Sequence, residues 1–119
     1  MSELQKALTL QQNASAIGFD WKTLAPVIAK VLEEVDEVKE AINTRNAAAI
    51  EDEVGDLLFA VVNIARHLRL DPDDCLRQAS EKFQKRLLIV KKLASEQQVQ
   101  LKDLDEQGLD ALWRMAKNL

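Results

Sequence analysis

From Leu24 to Leu70, apolar residues recur every three or four positions, with a break only at Asn43 to Asn46. That period lines side chains along one stripe of an α-helix, whereas a strand would need alternation. The middle of the chain is therefore committed to two long helices joined by a tight turn. The first is capped by Thr23 and runs to about Thr44, with Leu24, Ile28, Val31, Val35, Val38 and Ile42 as its stripe. Pro26 is tolerable there because it falls in the first turn, where its missing N–H is not needed. The second runs from about Ala47 to Leu70, apolar at Ile50, Val54, Leu57, Leu58, Val61, Ala65 and Leu68, with Phe59 and Val62 on the opposite side. A helix apolar nearly all round must be covered on both sides. In a chain of 119 residues that points partly to the remaining helices and more strongly to a subunit interface.

Three more helices complete the prediction. One covers about residues 2–17, sets Leu4, Ala7, Leu8 and Gln11 on one face, and ends at Gly18. Phe19-Asp20-Trp21 makes a short connection, in which Trp21 is expected to pack where the first two helices meet. Asp71-Pro72, a cap followed by proline at the first helical position, opens a fourth helix that runs to about Gln97. Val99 to Asp105 reads as irregular, and a last helix covers about Glu106 to Lys117. With only 3 Gly and 2 Pro and no convincing strand, the fold class is all-α. The expectation is one domain over residues 1–119, an antiparallel bundle of about five helices completed by oligomerisation.

The net charge of −4 argues against nucleic acid, because a non-specific binder needs a basic footprint to displace counterions from phosphate. An acidic excess does suit a cation site. The lone Cys75 fits a reducing compartment. The N-terminus lacks the basic start and apolar run of a secretory signal, and nothing approaches the roughly 20 apolar residues that span a bilayer. A cytoplasmic protein without a membrane partner is the expectation.

The acids are not evenly spread. The second helix carries Glu33-Glu34-Val35-Asp36-Glu37 and the third Glu53-Val54-Gly55-Asp56. Residues three apart share a helix face, so Glu34 and Glu37 pair, as do Glu53 and Asp56, and each pair repels unless a cation neutralises it. Both pairs fall on flanks of the same rotational sense, which emerge together on one side of an antiparallel hairpin. Counted from the turn, Glu37 matches Glu53 in height and Glu34 matches Asp56, within roughly one residue's rise of about 1.5 Å. Four carboxylates thus converge on one patch, beside Ala49 and Ala60, which are too small to fill the space in front of it. An all-oxygen anionic site suits Mg²⁺ or Mn²⁺. Zinc is disfavoured by the absence of further soft ligands, and the diiron bundle pattern by the absence of Glu-x-x-His. Because Mg²⁺ binds best beside substrate phosphates, the natural ligand is a polyphosphate.

The ordered set EExxE and ExxD resembles the all-α nucleotide pyrophosphohydrolase superfamily, and its MazG branch in particular. The likeness extends over Gly18-Phe19-Asp20-Trp21, the EEVDE pentad, Glu53 to Phe59, Asn63 to Leu68, Glu81 to Arg86, and Leu112-Trp113 with Lys117. It implies a homodimer, sometimes a dimer of dimers, and Mg²⁺-dependent attack of water on a nucleoside triphosphate with release of pyrophosphate. It also implies Glu34, Glu37, Glu53 and Asp56 as metal ligands and Glu33 as the group that orients or deprotonates the attacking water. Lys82 and Arg86 would clamp the triphosphate, and Trp113 and Lys117 would contact base and phosphate. Asn63, on the acidic flank of the third helix, is a candidate hydrogen-bond partner for the nucleotide, while His67 reads as a structural histidine. Longer MazG proteins carry two such domains, so roles attached to that form are not expected of this one domain. The spacing of the acids leaves a narrower substrate open, whether dUTP, dCTP or phosphoribosyl-ATP. A non-enzymatic helical interaction module is the rival of another class.

Overall fold

The computed structural model describes residues 1–119 and contains helices and turns only. Helix α1 spans Glu3–Ala16, α2 Leu24–Thr44, α3 Ala47–His67, α4 Pro72–Glu96 and α5 Glu106–Lys117, with one 3₁₀ turn at Leu101–Asp103. No helix is long and apolar enough to cross a membrane. The residues cluster into two units, Met1–Cys75 and Leu76–Leu119, so α4 starts in the first and continues into the second.

In the first unit, α2 and α3 pack along each other and α1 packs on α3. The α2–α3 turn is built from short polar side chains. Arg45 takes the left-handed conformation at φ 57°, the Thr44 hydroxyl donates to the Ala41 carbonyl at 2.6 Å, and Asn46 caps α3 by accepting from the Ala49 N–H at 3.1 Å. Helix α1 ends in a Schellman motif. The Gly18 N–H donates to the Ser15 carbonyl and the Phe19 N–H to the Ala14 carbonyl, both at 3.0 Å. Gly18 supplies the positive φ of 95° that this ending requires. At the other end of α1, the Ser2 hydroxyl donates to Asp73 at 2.7 Å and the Gln5 amide to Asp71 at 2.8 Å. Asp71 also caps α4 as predicted, accepting from the Asp73 N–H at 2.9 Å.

The expected face of α1 is the one that is covered, and Gln11 is buried at its centre. The stripes of α2 and α3 need correction. On α2 the buried positions are Val27, Glu34 and Ala41, whereas Ile28 and Ile42 of the predicted stripe are exposed. On α3 the buried residues are Ala60 and Val62, while Val54, Leu58, Val61 and Leu68 are exposed. Periodicity locates an apolar arc but not the part of it that neighbours cover. Here the arcs are wider than one adjacent helix can cover, and cover is fullest at Val27 on α2 and Val62 on α3. Helix α3 stops at His67 rather than Leu70 because Arg69 turns left-handed at φ 60° and the Leu70 N–H closes back on the Ala65 carbonyl at 2.9 Å.

In the second unit, Val90 and Ala94 of α4 form a small core with Leu112 and Ala116 of α5, flanked by Leu93, Leu101, Leu104 and Trp113. Gln98, left-handed at φ 57°, ends α4, and Asp105 caps α5 by accepting from the Gly108 N–H at 2.8 Å.

Candidate active site

Helices α2 and α3 carry Glu34, Glu53 and Asp56 to one spot. Each offers a carboxylate oxygen, and these oxygens all lie within 4.8 Å of one another. Glu34 is buried, Glu53 half-buried and Asp56 exposed, so the cluster opens outward along α3. Withdrawal from water pushes the Glu53 carboxyl above its ordinary range, and the charges of Asp56, Glu37, Asp52 and Glu34 push it further. Glu37 is therefore a close electrostatic neighbour, although it stands outside the group whose oxygens converge. The cation that touches the cluster is Lys30, whose Nζ lies 3.2 Å from Glu34 Oε1 and 3.6 Å from Glu33 Oε1. The bond to Glu34, followed by the charge of Glu33, raises the Lys30 pKa above normal. Glu33 itself points outward, with its side chain 63% exposed. Three hard oxygen donors with no nitrogen or sulfur among them fit Mg²⁺ or Mn²⁺.

Beside the acids lies a cavity of about 450 Å³. Glu34, Asp56 and Lys30 line it together with Phe19, Trp21 and Phe59, while Ala60 leaves room in the α3 wall. Trp21 is not covered between α1 and α2 as the sequence predicts. It is 43% exposed and meets Phe19 edge-on, ring centroids 6.2 Å apart. The Schellman ending of α1 explains this, because it turns the chain sharply and carries Phe19 and Trp21 to the cavity wall.

That connection is held by Asp20. Its carboxylate accepts from Arg66 Nη1 at 2.9 Å and Nη2 at 2.6 Å, from the Ser15 hydroxyl at 2.6 Å and from the Trp21 N–H at 2.7 Å. His67 Nε2 lies 3.1 Å from the same carboxylate, which gives it the structural role expected. The Arg66 fork, more than any other contact, holds the Asp20 carboxyl well below the usual carboxylate range. Asn63 lines the cavity, and its Oδ1 accepts from Arg66 Nε at 2.9 Å, which sets the orientation of its amide.

The other predicted site residues, Lys82, Arg86, Trp113 and Lys117, belong to the second unit. There the Arg86 guanidinium sits over the Trp113 ring, 5.6 Å from its centroid, and Phe83 stacks obliquely on the same ring at 5.5 Å. Lys82 and Lys117 are exposed. Trp113 is thus engaged by two neighbours within its own unit.

Lys30, Gln11, Asp20 and Arg66, and the Phe19–Trp21 pair, were not predicted as site residues. Lys30 was open to inference, since it precedes Glu34 by one helical turn. Asp20 and Arg66 are 46 positions apart, and no local pattern joins them.

A helical hairpin that presents converging carboxylates beside an aromatic cavity defines an all-α protein with an acidic, oxygen-only centre. The chain belongs to the MazG nucleotide pyrophosphohydrolase domain family, whose model matches residues 22–90. It is 41% identical over 114 residues to the nucleoside triphosphate pyrophosphohydrolase/pyrophosphatase MazG of Thermotoga maritima, a match that takes in 96% of this chain and 44% of that protein. It is 37% identical over 118 residues to the nucleoside triphosphate pyrophosphohydrolase of Escherichia coli, with the same coverage of 96% and 44%. A shorter match, 38% over 68 residues, is to the uncharacterised protein YabN of Bacillus subtilis and covers 57% of this chain and 14% of YabN. The chain thus spans less than half the length of the first two relatives.

Proposed function

We propose that this chain hydrolyses nucleoside triphosphates between the α- and β-phosphates, giving a nucleoside monophosphate and pyrophosphate with Mg²⁺ as cofactor. The observation that carries this reading is the convergence of Glu34, Glu53 and Asp56 within 4.8 Å at the edge of a cavity with aromatic walls. The carboxylates suit a cation that grips phosphate, and the aromatic side chains suit a planar base. Family membership and the names of the two longer relatives support the same reaction.

Glu34, Glu37, Glu53 and Asp56 would hold the Mg²⁺, which supplies charge neutralisation of the phosphoryl oxygens and acidifies a bound water. Glu33 accepts a proton from the attacking water and orients its oxygen toward the α-phosphorus. The new P–O bond forms there as the bond to the bridging oxygen breaks, and pyrophosphate departs with that oxygen. Lys30 holds Glu34 in place before the substrate arrives, and its ammonium is free to turn to phosphate once the carboxylate has another partner. On this reading Asn63, on the wall of the cavity, bonds the nucleotide. The exposed free thiol of Cys75 suits a reducing compartment such as the cytoplasm.

The test is hydrolysis of common and damaged nucleoside triphosphates in ¹⁸O-labelled water with Mg²⁺, followed by phosphorus NMR. The expected products are pyrophosphate without label and monophosphate with it. Inorganic phosphate as the main product, or no turnover on any nucleotide, would reject the reading. Glu37→Ala and Asp56→Ala are expected to abolish turnover while leaving helicity intact.

A further inference from the structure

Gln11 of α1 is buried to 7% exposure and lines the cavity beside the carboxylates. Its Nε2 donates to the Phe59 main-chain carbonyl at 2.9 Å. That bond fixes the amide, because the flipped form would set two oxygens against each other. Its Oε1 is then left buried without any hydrogen-bond partner. Such an orphan acceptor is unfavourable in a folded protein, and one on a residue that lines a ligand-sized cavity calls for a donor supplied from outside. Gln11 is itself a wall residue of the cavity, so the nearest source of a donor for this oxygen is an occupant of that cavity. With Phe19, Trp21 and Phe59 on the walls and the acids at the edge, the cavity suits an occupant that is flat, weakly polar and tethered to phosphate.

We infer that Gln11 reads the nucleobase, its Oε1 accepting an N–H from the base edge. This rests on the pyrophosphohydrolase reading above and adds to it the residue that confers base selectivity. A buried acceptor without a partner favours a ring N–H or exocyclic amine over a carbonyl or a bare ring nitrogen at the position it faces. The same buried oxygen rejects a base that cannot donate, since entry of such a base would leave the acceptor unpaired.

The experiment is calorimetric titration, with Mg²⁺ present, of α,β-imido triphosphates in matched pairs. Thymine is set against N3-methylthymine, adenine against N6,N6-dimethyladenine, and cytosine against N4,N4-dimethylcytosine. The wild-type chain is expected to prefer the N–H form of at least one pair by on the order of tenfold or more. Gln11→Met, close to glutamine in length, and Gln11→Leu are expected to bring that ratio near one. A clash caused only by the added methyl group would persist in Gln11→Met and would overturn the inference. So would a wild-type preference absent from every pair, or a selectivity that follows removal of a sugar hydroxyl rather than the base N–H. Ligand-free Gln11→Met is expected to melt at or above the wild-type temperature, because it removes an unsatisfied acceptor. A purely structural role for Gln11 predicts instead a lower melting temperature with selectivity intact. Failure of the wild type to bind any of the six nucleotides would remove the hydrolase reading and this inference together. Binding with an unaltered ratio in both variants would remove this inference alone.

Discussion

Two carboxylates show how differently one side chain behaves in two settings. Asp20 is surrounded by donors, four of its contacts coming from Arg66, Ser15 and the Trp21 N–H, and it stays ionised far into acid. Its folded pKa lies below its ordinary value of 3.8. The stability it contributes is therefore complete above pH 3.8 and is lost as pH falls through the lower, folded value. Asp20→Asn keeps the shape but loses the charge, and is expected to cost about 2 kcal/mol at neutral pH by urea unfolding. The gap from wild type should shrink as the buffer is taken below pH 3.8; a gap that stays constant would contradict the role given to the ion pair. Glu53 has the opposite surroundings, with acids on several sides and its own water partly stripped. Glu53→Gln relieves that repulsion. The variant is expected to melt higher than wild type without metal and to show a smaller rise on adding Mg²⁺. A variant that melts lower without metal would argue that the cluster is not strained.

At the scale of the element, the endings of the helices position the site. Gly18 has open space around the place a Cβ would take, so only its φ of 95° demands glycine. Gly18→Ala is expected to cost about 1 kcal/mol or more in thermal or urea unfolding. It should also disturb substrate affinity, because Phe19, Asp20 and Trp21 follow directly. Gln98 adopts a left-handed φ of 57° with a side chain that can be removed, so Gln98→Gly is expected to stabilise by a few tenths of a kcal/mol up to about 1. Opposite signs at two similar helix ends would be read from the same denaturation curves. The hairpin turn was legible in advance because Thr44 and Asn46 are the residue types that bond locally to backbone.

For the whole molecule, the uncovered arcs of α2 and α3 matter most. Leu32 is 64% exposed and Leu58 57% exposed, with Ile28, Val54 and Val61 exposed as well. Scattered apolar residues are ordinary, but several of them on two packed helices are what a contact between copies would cover. We propose that a second copy of the chain covers this face, and the protein is then expected to sediment as a dimer or larger. Leu58→Glu is expected to yield monomer by sedimentation velocity and to lower the melting temperature. A wild-type monomer at micromolar concentration, with full activity, would refute that assignment.

The sequence alone determined the helices, their order and nearly all their ends, because caps, glycine, proline and the 3.6-residue period act within a turn or two of backbone. It also placed Glu34, Glu37, Glu53 and Asp56 on one side of the hairpin, of which the oxygens of Glu34, Glu53 and Asp56 converge while Glu37 stands outside that group. What tertiary structure decided was everything that depends on contact between distant segments. It chose which edge of each apolar arc is covered, it drew Asp20 to Arg66 across 46 positions, and it sealed Gln11 beside the cavity with one amide oxygen unpaired. Periodicity measures angle around a helix, and burial is set by what lies opposite, which no local pattern encodes.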